Sequence, residues 1–182
     1  MSPPRATERD RPEDQVRIRS ALPEEGERLR EIVIASKRYW GYDQEFMSRF
    51  AAVISMSPGY VRQHDVWVLE HAGRIAGLYG LIHQGEVAQL DHLWLLPRHI
   101  GNGFGRILFE HAVMRAAQQG ARRLEWDAET HAVGFYERMG GSPGPGNDQP
   151  ARTEGTSLWV RSAQRSYIVV CPGNGSTTVD LL

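Results

Sequence analysis

A chain of 182 residues with 41% apolar residues carries enough hydrophobic material for one well-buried core and is short for two independent domains. Its formal net charge of -1, with no clustered stripe of Lys and Arg, argues against nucleic acid as a partner. Cys171 is the single cysteine, which excludes an intramolecular disulfide framework, and no apolar run approaches the ~20 residues of a membrane span, so a soluble cytoplasmic protein is expected.

Residues 1–15 are rich in proline and charge and are expected to form a disordered leader, ahead of a single domain over 16–172 and a frayed tail over 173–182. Val16-Arg17-Ile18-Arg19 alternates as a half-buried strand does. After Pro23, the residues Leu29, Ile32, Val33 and Ser36 recur at helical spacing. Asp43 is a candidate N-cap for a second helix whose stripe is Phe46, Met47, Phe50, Val53 and Ile54, with Pro58-Gly59 as its end. Val66 to Leu69 and Ile75 to Ile82, separated by His71-Ala72-Gly73-Arg74, read as a β-hairpin, and Val87 to Leu96 as a third antiparallel strand stopped by Pro97. A helix from Phe104 to about Gly120 follows, with Leu108, Phe109, Ala112, Val113 and Ala116 on one face. Then come a short strand at Arg123 to Trp126 and a short helix at Ala132 to Met139. Ser142 to Thr156 reads as a loop, with two closing strands at Leu158 to Val160 and Tyr167 to Val170.

Between the third strand of the meander and the helix lies Gly101-Asn102-Gly103-Phe104-Gly105. Glycines there let backbone N–H groups converge on an anion at a helix start, where the dipole favours each charge contact by ~0.3–2 kcal/mol. A pyrophosphate fits this cradle, and Arg106 adds charge. A dinucleotide-binding Rossmann unit is the competing reading, but it needs its glycine turn after the first strand of a βαβ unit, and this turn follows a hairpin-connected meander.

The run Leu93-Trp94-Leu95-Leu96-Pro97-Arg98-His99-Ile100 leading into that turn resembles the coenzyme-A motif of the GCN5-related N-acetyltransferases, and Ala132-Val133-Gly134-Phe135-Tyr136-Glu137-Arg138-Met139-Gly140 is similar to the helix that carries their thiolate-protonating tyrosine. The order of elements over about Val16 to Gly141 agrees. The resemblance implies an α/β (α+β) fold with a mixed, mostly antiparallel central sheet, helices on both faces and a splay after the fourth strand. It implies acetyl-CoA as co-substrate, held by Leu93, Trp94, Leu95, Ile100, Gly101, Asn102, Gly103, Phe104, Gly105, Arg106, His131 and Tyr136. Two positions depart from the family pattern: Ile100 stands where relatives carry Arg or Gln, and His131 where many have Asn. With Ile100 the cradle depends on backbone donors.

Acetyl transfer to an amine needs a neutral nucleophile, a polarised thioester carbonyl and a proton for the departing thiolate. The resemblance makes Tyr136 the general acid and Leu93 and Leu95 the strand that pairs with the pantetheine arm. For the base, Asp91 and His92 are the candidates, with Glu86 a third. Strict alternation puts Asp91 on the face of Leu93 and Leu95, and His92 on that of Leu90 and Trp94. Trp40-Gly41-Tyr42, part of a Lys-x-x-Trp-Gly-Tyr segment that recurs in one branch of the family, is expected to wall the acceptor pocket, with Asp43 or Glu45 attracting an ammonium. No histidine spacing suits a metal, so none is expected. The expected activity is direct acetyl transfer to a primary amine of a small molecule or peptide; an acyl-CoA sensor of the same fold is the non-enzymatic alternative, and a homodimer is left open.

Overall fold

Alternating charge and apolarity make Val16–Ser20 the edge strand β1. In the computed structural model, which describes residues 15–143 and 163–170, it is followed by a single 3₁₀ turn at Pro23–Glu25 and helix α1, Gly26–Tyr39. The leader up to residue 14, the strand expected at Leu158 to Val160, Cys171 and the tail over 173–182 lie outside the described residues. Helix α1 buries Leu29, Ile32, Val33 and Ser36, the stripe its spacing calls for, and also Lys37. Asp43 caps helix α2, Gln44–Val53, by accepting from the Phe46 N–H at 2.8 Å. Val53 leaves the expected stripe and is 49% exposed.

Pro58-Gly59 does not end α2. It opens a further helix, α3 at Pro58–Gln63, whose N-cap Ser57 accepts from the Tyr60 N–H. Serine followed by proline is a helix-start signal, because proline at the first position gives up an N–H that has no partner there anyway. Strands β2 (Asp65–His71), β3 (Arg74–Gln84) and β4 (Val87–Leu95) form the meander. A 3₁₀ turn at Pro97–His99 and the glycine turn lead into α4, Phe104–Gln118. Then come β5 (Arg123–Glu129), α5 (Val133–Arg138), β6 (Ser142–Pro143) and β7 (Ala163–Val169). Ser142, expected in a loop, thus begins a short strand, and the strand expected at Tyr167 to Val170 starts earlier.

The seven strands form one sheet in the order β1-β2-β3-β4-β5-β7-β6, antiparallel throughout except for β4 and β5. That arrangement rules out the Rossmann alternative, whose sheet is mostly parallel. Leu108, Phe109, Ala112 and Val113 of α4 pack on one face with Tyr79, Leu124 and Trp126. Leu29, Ile32, Phe46 and Phe50 of α1 and α2 pack on the other with Val66, Val68 and Leu78.

One irregularity matters for function. Between β3 and β4 the register steps from Gly80↔His92 to Leu81↔Leu90, so Asp91 is the extra residue of a β-bulge. Beyond it the alternation inverts: Leu93 and Leu95 rejoin the α4 face with Leu90, while Trp94 packs on the α1 and α2 face.

Candidate active site

The parallel ladder between β4 and β5 consists of Val87↔Arg123, Ala88↔Leu124 and Gln89↔Glu125. Both strands run on past it, β4 to Leu95 and β5 to Glu129. A cleft of ≈ 930 Å³ is lined by Gln89 to Leu95 on one side and by Asp127, Glu129, His131 and Tyr136 on the other. At one end lie Ile100, Gly101, Gly103, Gly105, Arg106 and Arg138; at the other lie Lys37, Trp40, Phe50 and Ile54 of α1, α2 and their junction.

At the glycine end the backbone geometry suits an anion. Gly101 and Gly103 have φ of 86° and 80°, and a Cβ at either would meet nothing within 4 Å, so the missing side chains leave a concavity. Gly103 caps the 15-residue helix α4, and the first bond there runs from the Ile107 N–H to the Gly103 carbonyl. The N–H groups of Phe104, Gly105 and Arg106 precede it and point out of the helix end. Arg106 pairs with Glu110 at 2.7 Å while lining the cleft, and Arg138 lines it from α5. These donors fit the pyrophosphate of coenzyme A. Bound as its acetyl thioester, coenzyme A would bring the acyl group and the leaving thiolate.

At the middle of the cleft, the bulge brings together two side chains that strict alternation separates. Asp91 Oδ2 accepts from the Tyr60 hydroxyl at 2.6 Å and lies 3.3 Å from His92 Nε2. The expectation that Asp91 shares the face of Leu93 and Leu95, and His92 that of Leu90, fails because the extra residue resets the parity. The Trp94 indole can only donate, and it donates to His92 Nδ1 at 3.1 Å, which leaves the imidazole proton on Nε2, facing Asp91. Burial pushes His92 below the usual histidine range, opposed by Asp91 and reinforced by His64. Gly80 admits this cluster: a Cβ there would sit 2.9 Å from the Tyr60 hydroxyl.

Tyr136 lies on α5 against Trp126, Phe109 and Phe135, at centroid separations of 4.9, 5.6 and 5.1 Å, and lines the cleft. Burial, then the Glu129 charge, push its phenol well above the usual tyrosine range, so it stays protonated. Glu129 itself bonds Lys37 Nζ through Oε1 and accepts from the Tyr42 hydroxyl at 3.0 Å through Oε2. Burial lowers Lys37 from the usual lysine range, and Glu129 opposes the shift. The Trp40 ring stacks on His131 at 5.1 Å and 8°.

Most of the residues named from sequence meet in this cleft, and the exceptions have local reasons. Tyr42 is committed to Glu129, Asn102 turns back to donate to the Arg98 carbonyl at 3.4 Å, and the Phe104 side chain is buried beside His71 and His99. Glu86 sits in the turn before β4, 70% exposed and paired with Arg122, at the end of the strand away from the chemistry. Asp43 is used as a cap, and Glu45 is 82% exposed beside Arg49, so neither serves an ammonium in the cleft. Sequence reasoning does not single out Tyr60, Glu129 or Arg138. Arg138 lies inside the second motif and Glu129 just ahead of it, which is the signal that points toward them.

Residues 27–141 match the Acetyltransferase (GNAT) family. The chain therefore belongs to the GNAT acetyltransferases. It is 31% identical over 80 residues to the putative [ribosomal protein bS18]-alanine N-acetyltransferase of Bacillus subtilis (strain 168), a match covering 42% of this chain and 53% of that protein. The chain thus spans about half the length of this curated relative. Among solved structures, the PaiA N-acetyltransferase from Thermoplasma acidophilum in complex with coenzyme A superposes with a TM-score of 0.69 at 16% identity, over 84% of this chain and 98% of that one. The ribosomal-protein-S18-alanine N-acetyltransferase from Escherichia coli gives 0.59 at 16% identity, over 89% and 98%. At these identities the likeness concerns the fold. Among the described residues, no helix is long and apolar enough to cross a membrane and no group of three or more His, Cys, Asp or Glu is placed to hold a metal.

Proposed function

We propose that the protein transfers the acetyl group of acetyl-CoA directly to a primary amine of a small molecule or peptide. The observation that carries this is the cleft between β4 and β5 past their paired segment, lined by the glycine-turn residues Gly101, Gly103 and Gly105 together with Tyr136 and Asp91. The name of the B. subtilis relative supports an amine acceptor. The start of α4 would hold the pyrophosphate, and the backbone of Leu93 and Leu95, on the β4 edge beyond Gln89, would hold the pantetheine arm. The amine enters from the side of Trp40 and Phe50.

An alkyl amine carries a proton at neutral pH and must lose it before attack. Asp91 takes that proton. His92 is less suited: its Nδ1 lone pair is engaged by Trp94 and its Nε2 proton faces Asp91, so it orients the carboxylate together with Tyr60. The neutral nitrogen attacks the thioester carbon, the C–N bond forms and the C–S bond breaks; Tyr136 gives its proton to the departing thiolate and is reprotonated by the proton that the acylated nitrogen sheds as the amide forms, while Asp91 releases the proton it took to solvent. Because Tyr136 stays protonated, it serves as donor at any pH where the amine is competent.

The test is thiol release from acetyl-CoA with a panel of polyamines, alkyl amines, amino acids, aminoglycosides and peptide N-termini. Tyr136→Phe should lower turnover by ~10²-fold or more while calorimetry shows coenzyme binding retained. Coenzyme binding with no acceptor-dependent release from any class would overturn the reading.

A further inference from the structure

The chemistry above leaves one buried ionisable group in the acceptor half of the cleft unused. Lys37, in the last turn of α1, has a side chain 1% exposed. Its ammonium bonds Glu129 and lies over the rings of Tyr42, Phe46, Phe50 and Trp94, at 4.6, 5.3, 5.2 and 5.9 Å from their centroids. Several aromatic faces around one carboxylate are what a protein uses to recognise an alkylammonium ion. Here that receptor is filled by the chain's own lysine, and both members of the ion pair line the cleft.

We propose that Lys37 sets the charge selectivity of the acceptor site: by filling the aromatic box and neutralising Glu129, it makes this wall suit an amine carried on an apolar body with no second charge. The inference rests on the acetyltransferase reading. A diamine entering with one nitrogen at the thioester would bring its second ammonium toward a wall where the matching carboxylate is already taken. An amino acid would bring a carboxylate toward a lysine that is equally satisfied. Removing one partner changes this asymmetrically. Without Lys37, the Glu129 carboxylate stands in a poorly solvated aromatic wall and recruits a second cation; without the Glu129 charge, Lys37 recruits an anion. Asp91 and Asp127, the other carboxylates lining the cleft, are the same in every variant, so a change in preference between acceptors isolates the pair.

The experiment compares kcat/KM for hexylamine, its α,ω-diamine and the aminohexanoate of the same chain, in the wild type, Lys37→Met, Glu129→Gln and the double variant. Coenzyme binding by calorimetry checks that each is folded. The wild type should favour hexylamine. Lys37→Met should raise the diamine-to-monoamine ratio by ~10-fold or more, Glu129→Gln should raise the aminohexanoate-to-monoamine ratio, and the double variant should return both toward wild type. A purely structural role for the pair would lower kcat/KM for all three acceptors alike, and that result overturns the proposal. So does failure of the wild type to acetylate hexylamine when the wider amine panel has revealed an acceptor. If Lys37→Met does not fold, the Glu129→Gln ratio decides alone. Absence of thiol release with every amine tested would instead sink the acetyltransferase reading itself.

Discussion

Gly80→Ala tests whether the bulge and Tyr60 hold Asp91 as one unit. The added Cβ would lie 2.9 Å from the Tyr60 hydroxyl and 3.7 Å from His92 Cβ, so the hydroxyl is the atom that must yield. Restoring an ordinary contact moves it by roughly 0.5 Å, enough to stretch its 2.6 Å bond to Asp91 Oδ2 past good hydrogen-bond length. A hydrogen bond to a charged group contributes ~1.5–3 kcal/mol, and the better strand preference of alanine offsets ~0.5–1 of that. The net expectation is a loss of ~1–2 kcal/mol in urea denaturation at unchanged m value, together with reduced acceptor-dependent turnover. Tyr60→Phe removes the same hydroxyl and with it the obstacle to the methyl group. The Gly80→Ala/Tyr60→Phe double variant should therefore be no less stable than Tyr60→Phe alone. If the two single losses simply add, within ~0.5 kcal/mol, the hydroxyl is not what Gly80 accommodates and the reasoning fails.

Two further outcomes follow from other parts of the molecule. Gly103→Ala puts a side chain at φ 80° with open space around it, so it should cost ~1–2 kcal/mol of stability but weaken coenzyme binding more than that strain alone predicts; calorimetry that shows unchanged affinity would remove the glycine turn from the site. Arg19 bonds Glu25 at 2.6 Å and holds its carboxyl below the usual range, against burial. A depressed carboxylate stabilises the fold above its ordinary value of 4.5 and loses that contribution as pH falls through the folded value. Arg19→Met should thus be less stable than wild type by ~1–2 kcal/mol at neutral pH, with the gap closing as pH falls below the ordinary carboxylate range. A gap independent of pH would contradict the assignment.

The elements whose periodicity is local are legible in the amino-acid sequence. β1, the β2 to β4 meander, α4 and the glycine turn follow from alternation, from the 3.6-residue repeat and from turn residues, each of which acts within a few positions. The Asp91 bulge is not legible in this way, because alternation along β4 is read one strand at a time, whereas a register step belongs to a pair of strands. Its trace lies in the partner, where Gly77 and Gly80 interrupt the apolar middle of β3. α3 escapes because Pro58-Gly59 also reads as a stop, although Ser57-Pro58 is a start. Lys37 shows only as the first letter of the Lys-x-x-Trp-Gly-Tyr segment. Its partner Glu129 lies 92 positions away, and nothing in either local pattern says that they meet. Ser142–Pro143 joins the sheet through backbone pairing with β7, which asks little of side chains.

The three-pair ladder between β4 and β5 has a mechanical consequence. The β4–β5 pairing ends at Gln89 and Glu125, and past that point the Lys37–Glu129 bond and the Trp40–His131 stack tie the end of α1 to the end of β5. On its β4 side the end of β5 is thus held by side chains of α1 and its C-terminal end, and on its other side by backbone pairing with β7. Variation at these side chains can reshape this part of the cleft while the β4–β5 ladder and the glycine turn, built from backbone, stay as they are.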